Sequence, residues 1–131
     1  MAKNRFTDGS GPTQRQLRVA ELIRRRLSEV FSRGEIHDPD LNRLSITVGE
    51  VRVSPDLKVA TAYVVPLGGG NVDTMFERLE ENRHEIRRAT AKGLELKYAP
   101  ELRFRLDETF DQLDETRRLF SQDAVRRDLD D

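Results

Sequence analysis

The sequence predicts a two-layer α+β domain with three strands and helices on one face of the sheet. Three observations lead there. Apolar residues recur at helical spacing from Ala20 to Phe31 and again from Val72 to Leu94. They alternate with polar residues from Leu44 to Val53 and from Leu102 to Leu106, and turn-forming residues fall where the period changes. At 131 residues without a cysteine, the chain fits one small domain and has no means of building a disulfide framework or a thiolate zinc site.

Residues 1–12 are polar and glycine-rich (TDGSGP) and are expected to form a flexible lead, so the folded domain is expected over 13–109. Thr13 with Gln16 three residues on is a capping-box pattern, and Ala20, Ile23, Leu27, Val30 and Phe31 then set one helical stripe, ended by Gly34. A turn-like segment follows at Asp38-Pro39. Leu44, Ile46 and Val48 begin a strand that resumes out of phase at Val51 and Val53, so a bulge is expected at Gly49. Ser54-Pro55-Asp56 supplies turn chemistry, and Lys58 to Val65 is a second strand, most simply paired antiparallel with the first.

Pro66 and Gly68-Gly69-Gly70 end that strand, and Asn71 can cap the next helix, with Val72, Met75, Phe76 and Leu79 on its apolar face. The next core positions fall on Asn82 and Arg83, which predicts a kink or break over Asn82 to His84. Ile86, Ala89 and Leu94 then restore the stripe until Tyr98-Ala99-Pro100 stops the second helix. Leu102, Phe104 and Leu106 alternate with Glu101, Arg103 and Arg105 as a third, half-buried strand. The order is thus helix, strand, strand, helix, kink, helix, strand. Residues 110–131 follow as an acidic tail, expected to be part helical and part frayed.

Charge divides the chain. Of 23 Lys+Arg and 24 Asp+Glu, residues 1–106 hold 19 bases against 15 acids, whereas 107–131 hold nine acids against four bases. A basic body with an acidic tail raises the expectation of a polyanion partner.

Catalytic chemistry finds little support. There are two histidines, no cysteine, and no serine in a nucleophile-elbow context. His37 lies beside Asp38 and Asp40, but no second imidazole has ligand spacing, and Asp-Pro is ordinary turn chemistry. Gly68 to Gly70 is not followed by the Lys-Ser/Thr of a phosphate loop. The chain is therefore expected to be no enzyme and to carry no metal or cofactor. No apolar run is long enough for a membrane span, and the N-terminal residues lack the apolar stretch of a secretory signal, so a soluble intracellular protein without a membrane partner is expected.

Binding is what remains, and the cations carry it. On the first helix Arg15, Arg18, Arg25 and Arg26, with Arg33, gather away from the apolar stripe. Arg83, Arg87, Arg88, Lys92 and Lys97 flank the kinked pair. Guanidinium forks and ammonium groups suit phosphate oxygens, although the same residues also lie at helical spacing from Glu21, Glu29, Glu81 and Glu85. The wet sheet face offers Ser45, Thr47, Arg103 and Arg105, without an aromatic platform for stacking bases. A fold that grips RNA backbone at a helix junction, as KH domains do, fits better.

Several segments resemble the ribosome-binding factor A family: RVAELIRRRLSEV from Arg18 to Val30, the Asp38-Pro39 turn with Leu44 to Val53, VSPDLKVATAYV from Val53 to Val64, and IRRATAKGLELKYAPELRFRLDET from Ile86 to Thr109. The resemblance implies a KH-like (type II) domain with this element order. It further implies a non-catalytic assembly factor of the bacterial cytoplasm that binds the small ribosomal subunit and its 16S rRNA. Such a factor assists rRNA maturation, notably at the 5′ end, and matters for growth in the cold. A monomer that does not act on DNA is expected. Where the family tends to carry Ala-x-Gly at the helix break, this chain has Asn82-Arg83-His84. The alternative from the residues alone is a protein-binding adaptor whose charges serve solubility.

Overall fold

The computed structural model describes residues 11–67, 70–94, 96 and 99–109. Its elements are α1 (Gln14–Ser32), α2 (Pro39–Asn42), β1 (Ile46–Val53), β2 (Val59–Pro66), α3 (Val72–Glu81), α4 (Arg83–Lys92) and β3 (Glu101–Leu106). The strands form one sheet in the order β1-β2-β3, with β1 and β2 antiparallel and β2 and β3 parallel. This is the predicted α+β class. The lead up to residue 10 and the acidic tail from 110 lie outside the described residues.

α1 starts as its sequence requires. The Thr13 side chain accepts the Gln16 backbone N–H while the Gln16 side chain accepts that of Thr13, so two otherwise orphaned donors are satisfied reciprocally. Gln16 also donates to the carbonyl of Val53 at 3.0 Å, tying the start of α1 to the end of β1. At the other end Gly34 adopts φ +62°, and the N–H groups of Gly34 and Glu35 return to the carbonyls of Phe31 and Val30. That pair of bonds is a Schellman ending, for which glycine carries no Cβ penalty.

Two local expectations are corrected. The Asp38-Pro39 segment is not a simple turn but a single helical turn, capped by Asp38 with Pro39 at its first position. Leu44 does not belong to β1: Ser45 sits at φ +49°, which breaks the extended chain, and the strand begins at Ile46 with Leu44 buried beside it. Consequently Ser45 offers nothing to the sheet face.

β1 and β2 pair with a register shift between Val48 and Glu50, so Gly49 is the bulge that restores the facing of Val51 and Val53. One face of the sheet then carries Val48, Val51 and Val53 beside Ala60, Ala62 and Val64, with Leu102, Phe104 and Leu106 completing the rows. Against it pack Ile23, Leu27 and Val30 of α1, Met75 and Leu79 of α3, Ile86 of α4, and Ile36 and Leu41 from the α2 region. Phe104 is partly buried and meets Phe31 with ring centroids 6.5 Å apart.

α3 begins at Asn71, whose side chain accepts the Thr74 N–H, and stops at Asn82. The predicted break is therefore present. α4 ends at Lys92 with Gly93 as cap, earlier than the stop at Tyr98 that the apolar stripe implied.

Candidate nucleic-acid interface

Asp38 fixes the helix junction. One of its oxygens accepts the N–H groups of Asp40 and Leu41 and so caps α2. The other accepts the Asn82 side-chain amide at 2.7 Å and the Arg78 guanidinium at 3.2 Å. The Asn82 side-chain amide also donates at 2.7 Å to the Arg78 carbonyl, which accepts the Asn82 backbone N–H as well where α3 ends. These bonds, the Asn82 amide first, hold the Asp38 carboxyl below its usual range. Asn82 thus interrupts the stripe, as its polarity implied, and is the residue that anchors the bend.

The arginines of α1 part company. Arg15 and Arg18 are exposed near its N-terminal end and form no ion pair with another described residue. Arg25 is exposed and shares Glu21 with Arg24; Arg24 first and Arg25 second hold the Glu21 carboxyl down at about 2. Arg26 lies inward, its side chain only 12% exposed. It grips Glu35 bidentately at 2.8 and 3.0 Å and donates to the carbonyl of Ala89 at 2.8 Å, so it clamps α1, the α1–α2 connection and α4 together. The Glu35 carboxyl is lowered chiefly by Arg26, with lesser contributions from Arg33 and Lys92.

Gly93 makes room for that clamp. A Cβ there would stand 2.5 Å from Nε and 2.7 Å from Cδ of Arg26, so any side chain would push the guanidinium away from its partners. Of the candidates read from the sequence, Arg26 is therefore placed as a structural tie.

On α4, Arg88 and Lys92 are exposed and form no ion pair with another described residue, while Arg87 donates to the Ala99 carbonyl at 2.7 Å. Arg83 stands 3.8 Å from Glu80. His84, Arg87, Arg88, Ala91, Lys92 and Ala99 line a shallow concavity of about 590 Å³. His37 is held at the junction, its N–H donating to Glu85 at 3.0 Å. Lys97 lies outside the described residues.

The two cation sets meet where α1 ends against α4. Lys92 and Arg33 both act on Glu35, and Arg26 reaches Ala89. Arg15 and Arg18 stand farther along, since the 19 residues of α1 extend about 28 Å. Chemically this surface can hold phosphate oxygens through charge and bidentate donors, without reading bases. Among the described residues, no group of three or more His, Cys, Asp or Glu is arranged to hold a metal ion. None of the described helices is long and apolar enough to cross a membrane.

Sequence reasoning missed three features: the Asp38–Asn82 tie, the inward course of Arg26, and the aromatic on the opposite sheet face. There Arg52 stacks over Tyr63, its guanidinium carbon 5.3 Å from the ring centroid. Only Gly93, at the end of α4, carried a signal for the second.

The fold and surface define a small KH-like α+β domain with a cationic helix junction. The sequence model of the family described as ribosome-binding factor A matches residues 15–120, and the chain belongs to that family. The ribosome-binding factor A of Ruegeria pomeroyi is 68% identical over 131 residues, covering 100% of both chains. The crystal structure of ribosome-binding factor A from Thermus thermophilus superposes with a TM-score of 0.59 and 25% identity, covering 70% of this chain and 94% of that one. A Thermus thermophilus ribosome-binding factor A fitted into a cryo-EM map of a 30S complex shares the fold, with a TM-score of 0.54 and 24% identity over 68% of this chain and 91% of that one.

Proposed function

We propose that this protein is a non-catalytic assembly factor that binds the small ribosomal subunit through its 16S rRNA and assists maturation of that RNA, including at the 5′ end. Cytoplasmic location, action as a monomer without DNA or membrane partners, and a role in growth at low temperature belong to the same reading. The observation that carries it is the junction surface. Arg88 and Lys92 stand exposed on α4 beside the end of α1, and Arg83 and Arg87 lie nearer the bend that Asp38 and Asn82 hold. Family membership with a full-length relative named for ribosome binding supports the same partner.

Cations on a rigid bend can follow a folded RNA backbone, whose phosphates point in several directions, better than cations on a mobile segment. The four exposed arginines Arg15, Arg18, Arg83 and Arg87 extend the proposed contact to either side, and Lys97 is a further candidate from the sequence alone. The test is co-sedimentation of the purified chain with small subunits, in mature and immature forms, as salt is raised. Binding that weakens steeply with salt and favours immature subunits is expected. Salt-insensitive capture of a protein component would instead assign the adaptor role.

A further inference from the structure

β1 is an outer strand of the sheet, and among the described residues no strand pairs with its far side. The hydrogen-bonding parity identifies the groups that stand there. Ser54 donates its N–H to the Val59 carbonyl, so Arg52 with Thr61 and Glu50 with Tyr63 are the bonded pairs that follow in the same register. Val53 and Val51 alternate with them and turn their N–H and C=O groups outward. The Gln16 amide agrees, since it reaches the Val53 carbonyl from α1 at 3.0 Å. The N–H and C=O of Val51 and the N–H of Val53 are left without a partner among the described residues.

That edge opens into a groove. A cavity of about 580 Å³ lies between it and the start of α1, bordered by Gln16, Leu17 and Ala20 on the helix and by Val51, Val53 and Pro55 on the strand side. Leu17 is 50% exposed, on the flank of α1 beside the buried stripe that packs on the sheet. The Gly49 bulge at one end and Pro55 at the other confine the open edge to Glu50–Val53.

We propose that this groove takes an extended acidic segment of a partner protein, added to β1 as a further strand. Donors and acceptors in strand register match a peptide main chain, whereas a sugar–phosphate backbone has no N–H to give the Val51 carbonyl. The side-chain pattern follows from the pleat. A residue opposite Val51 points, like Val51, to the helix side and seats against Leu17 and Ala20, so it is apolar; its neighbours point to the outer face beside Arg52. Charge makes those neighbours acidic. Arg18, Arg24, Arg25 and Arg52 stand around the groove against Glu21 and Glu50, and Arg18 forms no ion pair with another described residue. The groove lies at the opposite end of α1 from the contact with α4, and its occupancy is independent of the function proposed above.

The test is an amide-shift titration of the isotope-labelled full chain with a capped Asp-Val-Glu-Val-Asp peptide. Shifts are expected at Leu17, Val51, Val53 and the Gln16 side-chain amide, with slowed hydrogen exchange at the Val51 and Val53 N–H groups. Methylating the backbone nitrogens of the peptide's valines removes the donor to Val51 and should weaken binding about tenfold, a loss that a purely apolar or ionic contact would not show. Lysine in place of the peptide's acids should weaken it by about tenfold or more. Leu17→Asp should abolish the shifts while the protein still melts cooperatively. Absence of shifts at Val51 and Val53 at millimolar peptide would overturn the proposal. So would equal binding of the methylated peptide, or stronger perturbation of the same amides by a short RNA.

Discussion

Asn82 donates its side-chain amide to Asp38 at 2.7 Å across 44 residues of sequence, joining the cap of a one-turn helix to the bend between α3 and α4. The junction is thereby held by a side chain from outside both helices. Alanine at either position should cost about 1–3 kcal/mol in chemical denaturation, since each leaves a partly buried charged or amide partner unsatisfied. A double-mutant cycle should give a coupling of about 1 kcal/mol or more. Additive losses would show that the two residues act separately.

Acid stability follows from the same carboxylate. Asp38 and Glu35 have folded-state values below their ordinary ones, Asp38 through the Asn82 amide first and Glu35 through Arg26 first, and Glu21 lies at about 2. A lowered carboxylate contributes stability that is present above its unfolded value of about 4 and is lost as pH falls through the folded value. The melting temperature should therefore be nearly flat from about pH 7 to 5 and fall between about pH 4 and 2. Asp38→Asn should flatten part of that acid limb, measured by thermal melts across pH. An unchanged slope would remove Asp38 from the explanation.

Arg26 and Arg88 should separate structure from binding. Arg26→Ala removes a clamp whose partners Glu35 and Ala89 stay behind, so a loss of about 2–4 kcal/mol is expected. Gly93→Ala should mimic part of that loss by pushing on the same guanidinium. Arg88→Ala, on an exposed face, should stay within about 0.5 kcal/mol of the parent in the same assay.

The third strand offers a packing test. Leu102 is 2% exposed while Phe104 is only partly buried against Phe31. Leu102→Ala should cost about 2–5 kcal/mol, and Phe104→Ala should fall near the lower end of the roughly 3–5 kcal/mol typical of a fully buried ring. Losses below about 1 kcal/mol in urea denaturation would detach β3 from the core.

What the sequence revealed was whatever local chemistry decides. Thr13 and Gln16 announce a helix start because both partners of the capping box lie within one turn, and Gly49 announces a bulge because the alternation changes phase across it. Asn82 announces a break because a polar residue stands on an apolar stripe. The remainder depended on distant partners. Arg26 looks like its neighbours on a helical wheel, and only the approach of Glu35 and Ala89 draws it inward. Asp38 looks like ordinary turn chemistry until Asn82 arrives beside it, and the parallel pairing of β3 with β2 is set by the course of the two intervening helices. The glycine at position 93 follows from the same clamp, since the chain must pass Arg26 there without a side chain.

The central claim is that phosphate is held at the helix junction and not on the sheet, and the salt dependence of small-subunit binding tests it most directly. Each phosphate contact adds a slope of roughly 0.7–0.9 to the fall of log affinity with log salt. Arg88→Ala with Lys92→Ala should weaken binding and reduce that slope by about one to two, while Arg103→Ala with Arg105→Ala should leave it near the parent value. A slope unchanged by the junction pair and reduced by the sheet pair would contradict the account.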